Sequence, residues 1–153
     1  MQLEDLFIKN AIRAKLPLQT REEIIQKAGE ILVEADAVEP RYIHAMKQAI
    51  DELGPYCVIA PGIALLHARP EDGVKRACLS LLTLKSAVPF GHSANDPVDL
   101  VFTLGAQDKK GHIEALAELA QFLSKEDFLQ RLRTCETSQN LQEEIFQYIS
   151  KRK

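Results

Sequence analysis

"VDLVFTLGA", residues 98–106, leads within three residues into "KKGHIEALAELAQFL", residues 109–123, and this junction decides the fold. The first stretch is almost wholly apolar, as a central strand covered on both faces requires. The second sets Ile113, Leu116, Leu119, Ala120 and Leu123 on or near one side of a helix. A buried strand followed closely by an amphipathic helix belongs to a layered α/β architecture.

The flanking segments extend that pattern. "VKRACLSLLTL" (74–84) alternates in part and predicts a strand, followed by a loop at "KSAVPFGHSANDP" (85–97). "YCVIAPGIALLH" (56–67) is two short apolar pieces broken at Pro61-Gly62, better strands than helices at that length. The link from there to the 74–84 strand is too short for a helical crossover, which predicts a mixed sheet.

Further upstream, "VEPRYIHAMKQAIDELGP" (38–55) predicts a helix. Pro40 suits its first turn, Gly54-Pro55 ends it, and Ile43, Met46, Ile50 and Leu53 form its buried stripe. "TREE" predicts a capping box at Thr20 and Glu23 for a helix over 21–36. "AIRAKLPL" (11–18) predicts a first edge strand, where Pro17 is tolerated. Downstream, "KEDFLQRLRT" predicts a helix with Ser124 as its N-cap, and "SQNLQEEIFQYIS" a last helix. The expected fold is one α/β layered domain over residues 1–153, a mixed β-sheet flanked by α-helices.

Composition narrows the function. The chain has 153 residues, 46% hydrophobic and 27% charged, with a net charge of -3, so no global field recruits nucleic acid. No apolar run reaches the roughly 20 residues of a membrane span, and the first residues lack a signal-peptide profile. A soluble, cytoplasmic chain is expected. Cys57, Cys78 and Cys135 form no CxxC pair and are expected to be free thiols, the first two as small core residues. Neither HExxH nor paired CxxC arms occur, and neither do GxxxxGK[ST], GxGxxG or GxSxG, so zinc, nucleotide and serine-hydrolase chemistry lack support.

The histidines remain. His67 ends the apolar segment "PGIALLH", where α/β proteins place reactive groups, and Arg69 adds a cation suited to an oxyanion. On spacing alone His67 reads equally as a structural cap of its strand. His112 shares a helical face with Ala115, Leu116 and Leu119, so it is expected to face inward from the first turn of its helix. It reads either as a satisfied, half-buried residue or as a donor to an anion bound at the helix start. His44 reads as a boundary residue of its helix and His92 as a loop residue. Asp96 reads as a turn residue, and either Asp96 or Asp99 could orient a neighbour.

With these residues in place, "PGIALLHARPEDGVKRACLSLLTL" resembles the active-site segment of enzyme IIA domains of the bacterial sugar phosphotransferase system (PTS), mannitol/fructose class. "VEPRYIHAMKQAIDELGPYCVIAPGIALLHARPEDGVK" and "NDPVDLVFTLGA" are most similar to the ascorbate-specific branch. The resemblance implies that His67 is the phosphorylated nucleophile; Nε2 is the ring nitrogen expected to attack. It implies that His112 stabilises the phosphoryl group, with amides of its helix start assisting. HPr is the implied donor, a cysteine of the IIB component the acceptor, and the membrane IIC component an indirect partner. No cofactor or metal is implied. Many relatives carry proline where this chain has Leu66. Mannitol-type members carry an arginine where this chain has Asp51, which leaves Arg69 as the candidate charge stabiliser. The alternative is a regulatory IIA-like module whose phosphorylation state controls protein partners.

Overall fold

The computed structural model describes residues 2–151. The ends of the expected 1–153 domain, Met1, Arg152 and Lys153, lie outside the described residues. Strand β5 (Val98–Gly105) is the middle of a five-stranded sheet and is buried along nearly its whole length. Beside it run β4 (Cys78–Val88), antiparallel, and β3 (Ile63–Leu66), parallel. The edges are β1 (Phe7–Leu16), parallel to β4, and β2 (Val58–Ala60), antiparallel to β3. The sheet is mixed, as expected. The short link from β3 to β4 joins oppositely directed strands, but β5 comes between them.

Helices cover both faces, giving a single α/β domain. One face packs on α2 (Arg21–Glu34) and α3 (Arg41–Leu53), which bury Ile24, Leu32, Tyr42 and Met46 against Val101, Leu82 and Leu66. The other packs on α1 (Leu3–Leu6), α4 (Lys109–Phe122), α5 (Glu126–Thr134) and α6 (Ser138–Lys151). Alternate residues of β5 divide between the two cores: Leu100, Phe102 and Leu104 point to the second, Val101 to the first. Phe122 anchors the second core, with its ring centroid 4.9 Å from Phe128, 5.3 Å from Tyr148 and 5.7 Å from Phe7.

Local chemistry explains most element ends. The Thr20 hydroxyl accepts from the Glu23 amide at 3.1 Å, and the Glu23 carboxylate reaches back to the Gln19 amide at 3.2 Å. Gly54, with φ 81°, stops α3 in a conformation that L side chains disfavour. Several expectations need correction. β1 begins at Phe7, and β4 starts at Cys78 and runs four residues further than expected, to Val88, which shortens the loop after it. Lys125, not Ser124, is the N-cap of α5; the Ser124 hydroxyl instead donates to the Gln121 carbonyl at the end of α4. The buried stripe of α4 is Gly111, Ala115, Leu119 and Phe122, with Ile113 59% exposed. Leu53, expected in the stripe of α3, is 69% exposed as the last residue of that helix, beside an open cavity.

Candidate functional site

All four residues of β3 are buried, and the ladder to β5 ends at the Leu66–Thr103 pair. His67 is the next residue, half-buried where the chain leaves the sheet. The chain then passes through Ala68 and Arg69 into a short 3-10 turn at Pro70–Asp72, which Gly73 ends with φ 123°. The site therefore stands at the carboxyl ends of two adjacent parallel strands, where α/β sheets gather reactive groups.

The His67 ring is held from two sides. Nδ1 lies 3.0 Å from the Leu65 carbonyl oxygen. A carbonyl only accepts, so Nδ1 carries the proton and Nε2 keeps its lone pair in the neutral ring. Tyr56 meets the ring edge-on, centroids 5.4 Å apart at 86°, and its hydroxyl donates to the His67 carbonyl at 3.4 Å.

His112 comes from the first turn of α4. Asp108 caps that helix, its carboxylate accepting from the Gly111 amide at 2.6 Å and its carbonyl from the His112 amide at 3.0 Å. These two amides are thus already bonded. The His112 ring sits 5.4 Å from that of His67, tilted by 49°. Its side chain does not face into the core as expected; it is half-buried beside His67 because the core-facing stripe of α4 passes through Gly111 and Ala115 instead. Partial burial, and secondarily the neighbouring His67, hold its pKa below the ordinary 6.5.

Both histidines line an open cavity of about 950 Å3 between α3 and the start of α4. Arg69 lines it too, but at the rim. Its side chain is 77% exposed, with Nε 3.6 Å from the Asp72 carboxylate and 3.7 Å from that of Glu71. Asp51 does not line the cavity; it turns away to Arg21, at 3.9 Å. The α3 wall is Ala45, Gln48, Ala49 and Glu52, and Lys109 brings a second cation at the first residue of α4. Sequence reasoning missed Tyr56 and Lys109. The aromatic directly after Gly54-Pro55 and the lysine just after the apolar strand were the available signals.

The other candidates lie outside the cavity. His44 is exposed on α3. His92 accepts from the Ala94 and Asn95 amides through Nδ1, at 3.3 and 3.1 Å. Asp96 accepts from the amides of Phe90, Gly91 and His92, and Asp99 from Arg133 Nε at 2.9 and 3.1 Å, so each orients its own surroundings. Cys57, Cys78 and Cys135 are free and buried. Among the described residues no group of three or more His, Cys, Asp or Glu could hold a metal ion, and no helix is long and apolar enough to cross a membrane.

A mixed α/β sheet that sets two facing histidines in an open cavity at its strand ends fits a phosphoryl-transfer protein. The chain belongs to the family described as phosphoenolpyruvate-dependent sugar phosphotransferase system, EIIA 2, whose sequence model matches residues 5–151. It is accordingly a phosphotransferase component. It is 41% identical over 143 residues to the ascorbate-specific PTS system EIIA component of Escherichia coli (strain K12), covering 92% of this chain and 93% of that protein. Among solved structures it is similar to the mannitol-specific cryptic phosphotransferase enzyme IIA CmtB from Escherichia coli, with TM-score 0.84, 32% identity, and 95% and 98% of the two chains covered. It also matches the Escherichia coli complex of enzyme IIA and phosphorylated enzyme IIB of the mannitol system, with TM-score 0.75, 29% identity, and 91% and 97% covered.

Proposed function

We propose that this chain accepts a phosphoryl group from phospho-HPr on Nε2 of His67 and passes it to a cysteine of a IIB component serving ascorbate uptake. One observation carries the reading: the Leu65 carbonyl fixes the Nδ1 proton of His67, leaving Nε2 as the free nucleophile in a cavity shared with His112. The ascorbate assignment is supported by the 41% identical relative.

In the first step the Nε2 lone pair forms a bond to phosphorus as the P–N bond to the HPr imidazole breaks, and that imidazole leaves with the electron pair. In the second, the IIB thiolate attacks and Nε2 of His67 departs with its pair. Neither step needs a proton from His67, because Nδ1 keeps its hydrogen throughout. Catalysis then rests on positioning and on charge stabilisation at the three equatorial oxygens. Neutral His112 donates one hydrogen bond there. Arg69 or Lys109 supplies positive charge by swinging over the cavity mouth from the rim. The two partners dock in turn on the same face, which offers Tyr56 and Leu53 as exposed apolar surface. The work takes place in the cytoplasm, with the whole chain acting as one carrier module and the membrane IIC component served through IIB.

The test is labelling with radioactive phosphoenolpyruvate, enzyme I and HPr, followed by peptide mapping. Label is expected on the peptide containing His67 and absent from His67→Ala. A fully labelled His67→Ala protein overturns the assignment. Faster onward transfer to a mannitol IIB than to an ascorbate IIB overturns the substrate reading alone.

A further inference from the structure

Beneath His67 the ladder between β3 and β5 is interrupted by a side chain. The Gly62 carbonyl accepts from the Leu100 amide at 3.0 Å, and the register continues through Ala64–Val101 and Leu66–Thr103. In a parallel ladder of this phase the next bond joins the Ala68 amide to the Leu104 carbonyl. That bond is replaced. The Tyr42 hydroxyl accepts from the Ala68 amide at 2.9 Å and donates to the Leu104 carbonyl at 2.7 Å.

Tyr42 is well suited to that place. It lies in the first turn of α3 and is 0% exposed, its ring packed in the core that includes Met46, Leu66 and Cys78. Burial pushes its phenol pKa far up, so the hydroxyl keeps its proton and stays a donor. One hydroxyl offers one donor and two acceptor sites, and both strand ends are satisfied at good length. The two strands it separates lead to different halves of the site. The Ala68 amide belongs to the peptide that follows His67. The Leu104 carbonyl lies one residue before the end of β5, whose continuation through Asp108 starts the helix bearing His112. Tyr56 holds the carbonyl of the same His67–Ala68 peptide. Tyrosine hydroxyls from two segments therefore grip both sides of the peptide behind the nucleophile.

We propose that Tyr42 is a positioning residue of the phosphoryl site: its hydroxyl, inserted between the Ala68 amide and the Leu104 carbonyl, spaces the strand ends that carry His67 and His112. Its catalytic consequence rests on the reading of His67 as the phosphorylated residue. Its geometric consequence does not. Without the hydroxyl the Ala68 amide and the Leu104 carbonyl move together to complete the ladder, and the His67 backbone moves with them.

The experiment is Tyr42→Phe, followed in two ways on the full chain. Nitrogen NMR of the histidine rings reads the His67 tautomer and the titration midpoint of His112. The variant should lose the pure Nδ1–H form of His67 and shift the His112 midpoint. Phosphorylation by phospho-HPr, measured well below the melting temperature, should slow on the order of tenfold, as misplacement of a reacting group does. A merely structural role would lower the melting temperature and leave ring signals and rate unchanged, and that result overturns the proposal. If the wild-type protein is labelled elsewhere than His67, the functional reading fails while the ring signals still decide the role of Tyr42. Should Tyr42→Phe not fold, the wild-type protein provides the decision. A hydroxyl so held exchanges slowly with water and shows a nuclear Overhauser effect to the Ala68 amide proton, and a rapidly exchanging hydroxyl without that effect overturns the assignment.

Discussion

His112, on helix α4 after β5, reaches the ring of His67 at the end of β3, and the two rings stand 5.4 Å apart. That spacing leaves room for phosphoryl oxygens to be met by the second imidazole while the first is bonded to phosphorus. On the proposed mechanism, His112→Ala removes one donor to developing charge but leaves His67 and its Leu65 bond intact. We expect the variant to be labelled by phospho-HPr and to pass the group to IIB about a hundredfold more slowly, the usual loss for one such donor. Rapid-quench measurement of onward transfer checks this; an unchanged rate removes His112 from the mechanism.

The same pair sets a pH dependence. Burial first, and His67 second, lower the His112 pKa from 6.5 in the unphosphorylated protein. NMR titration should place its midpoint below 6.5, and in His67→Gln the midpoint should rise while staying below that value, since burial persists. The sign for stability follows from proton counting. Between the lowered folded midpoint and 6.5 the unfolded chain binds more protons, so stability rises with pH there. The contribution is favourable above 6.5, fades as pH falls through that window, and is small because the ring is partly solvated. A His112 midpoint above 6.5 would contradict the account.

Phe122 and Ile113 separate two readings of α4. The sequence pattern puts Ile113 on the apolar face, whereas the structure buries Phe122 among Phe7, Phe102, Phe128 and Tyr148 and leaves Ile113 exposed. Phe122→Ala should cost about 3–5 kcal/mol, a large share of a domain's stability. Ile113→Ser should change it by no more than about 0.5 kcal/mol. Denaturant melts of the two variants decide. Equal losses would mean that α4 is rotated from the position described.

That contrast shows what could be read without coordinates. The β5–α4 junction, the capping of α2 by Thr20 and the placing of His67 at a strand end all follow from local patterns of burial and hydrogen bonding. The facial assignment of α4 was ambiguous because apolar residues occur on more than one side of "GHIEALAELAQFL", and only the sheet chooses among them. The same holds for Leu53, which lines the open cavity and not the core. The placing of β5 between β3 and β4 is a long-range pairing with no local mark. The insertion of Tyr42 is illegible for a further reason: a tyrosine beside the expected stripe of Ile43, Met46, Ile50 and Leu53 carries no local mark until the backbone groups at its hydroxyl are known.

Gly29 gives a last test, because two opposing effects meet there. It lies inside α2, where alanine is intrinsically favoured over glycine by about 1 kcal/mol. A Cβ at that position, however, would stand 2.3 Å from Cγ1 and 3.1 Å from Cδ1 of Ile43 on α3. Overpacking of that kind costs about 1–3 kcal/mol, so Gly29→Ala should be neutral to destabilising despite its better propensity. Ile43→Ala deletes both crowding atoms. The double variant should therefore be more stable than the sum of the single losses predicts, by about 1 kcal/mol of favourable coupling. Ile43 is adjacent to Tyr42, so any displacement of α3 that relieves the crowding also moves the hydroxyl that spaces Ala68 and Leu104. Gly29→Ala should consequently slow phosphorylation of the folded protein, and Ile43→Ala in the same chain should restore part of the rate. Strict additivity in chemical denaturation, together with a wild-type rate in Gly29→Ala, would show that the α2–α3 contact neither constrains α3 nor reaches the site.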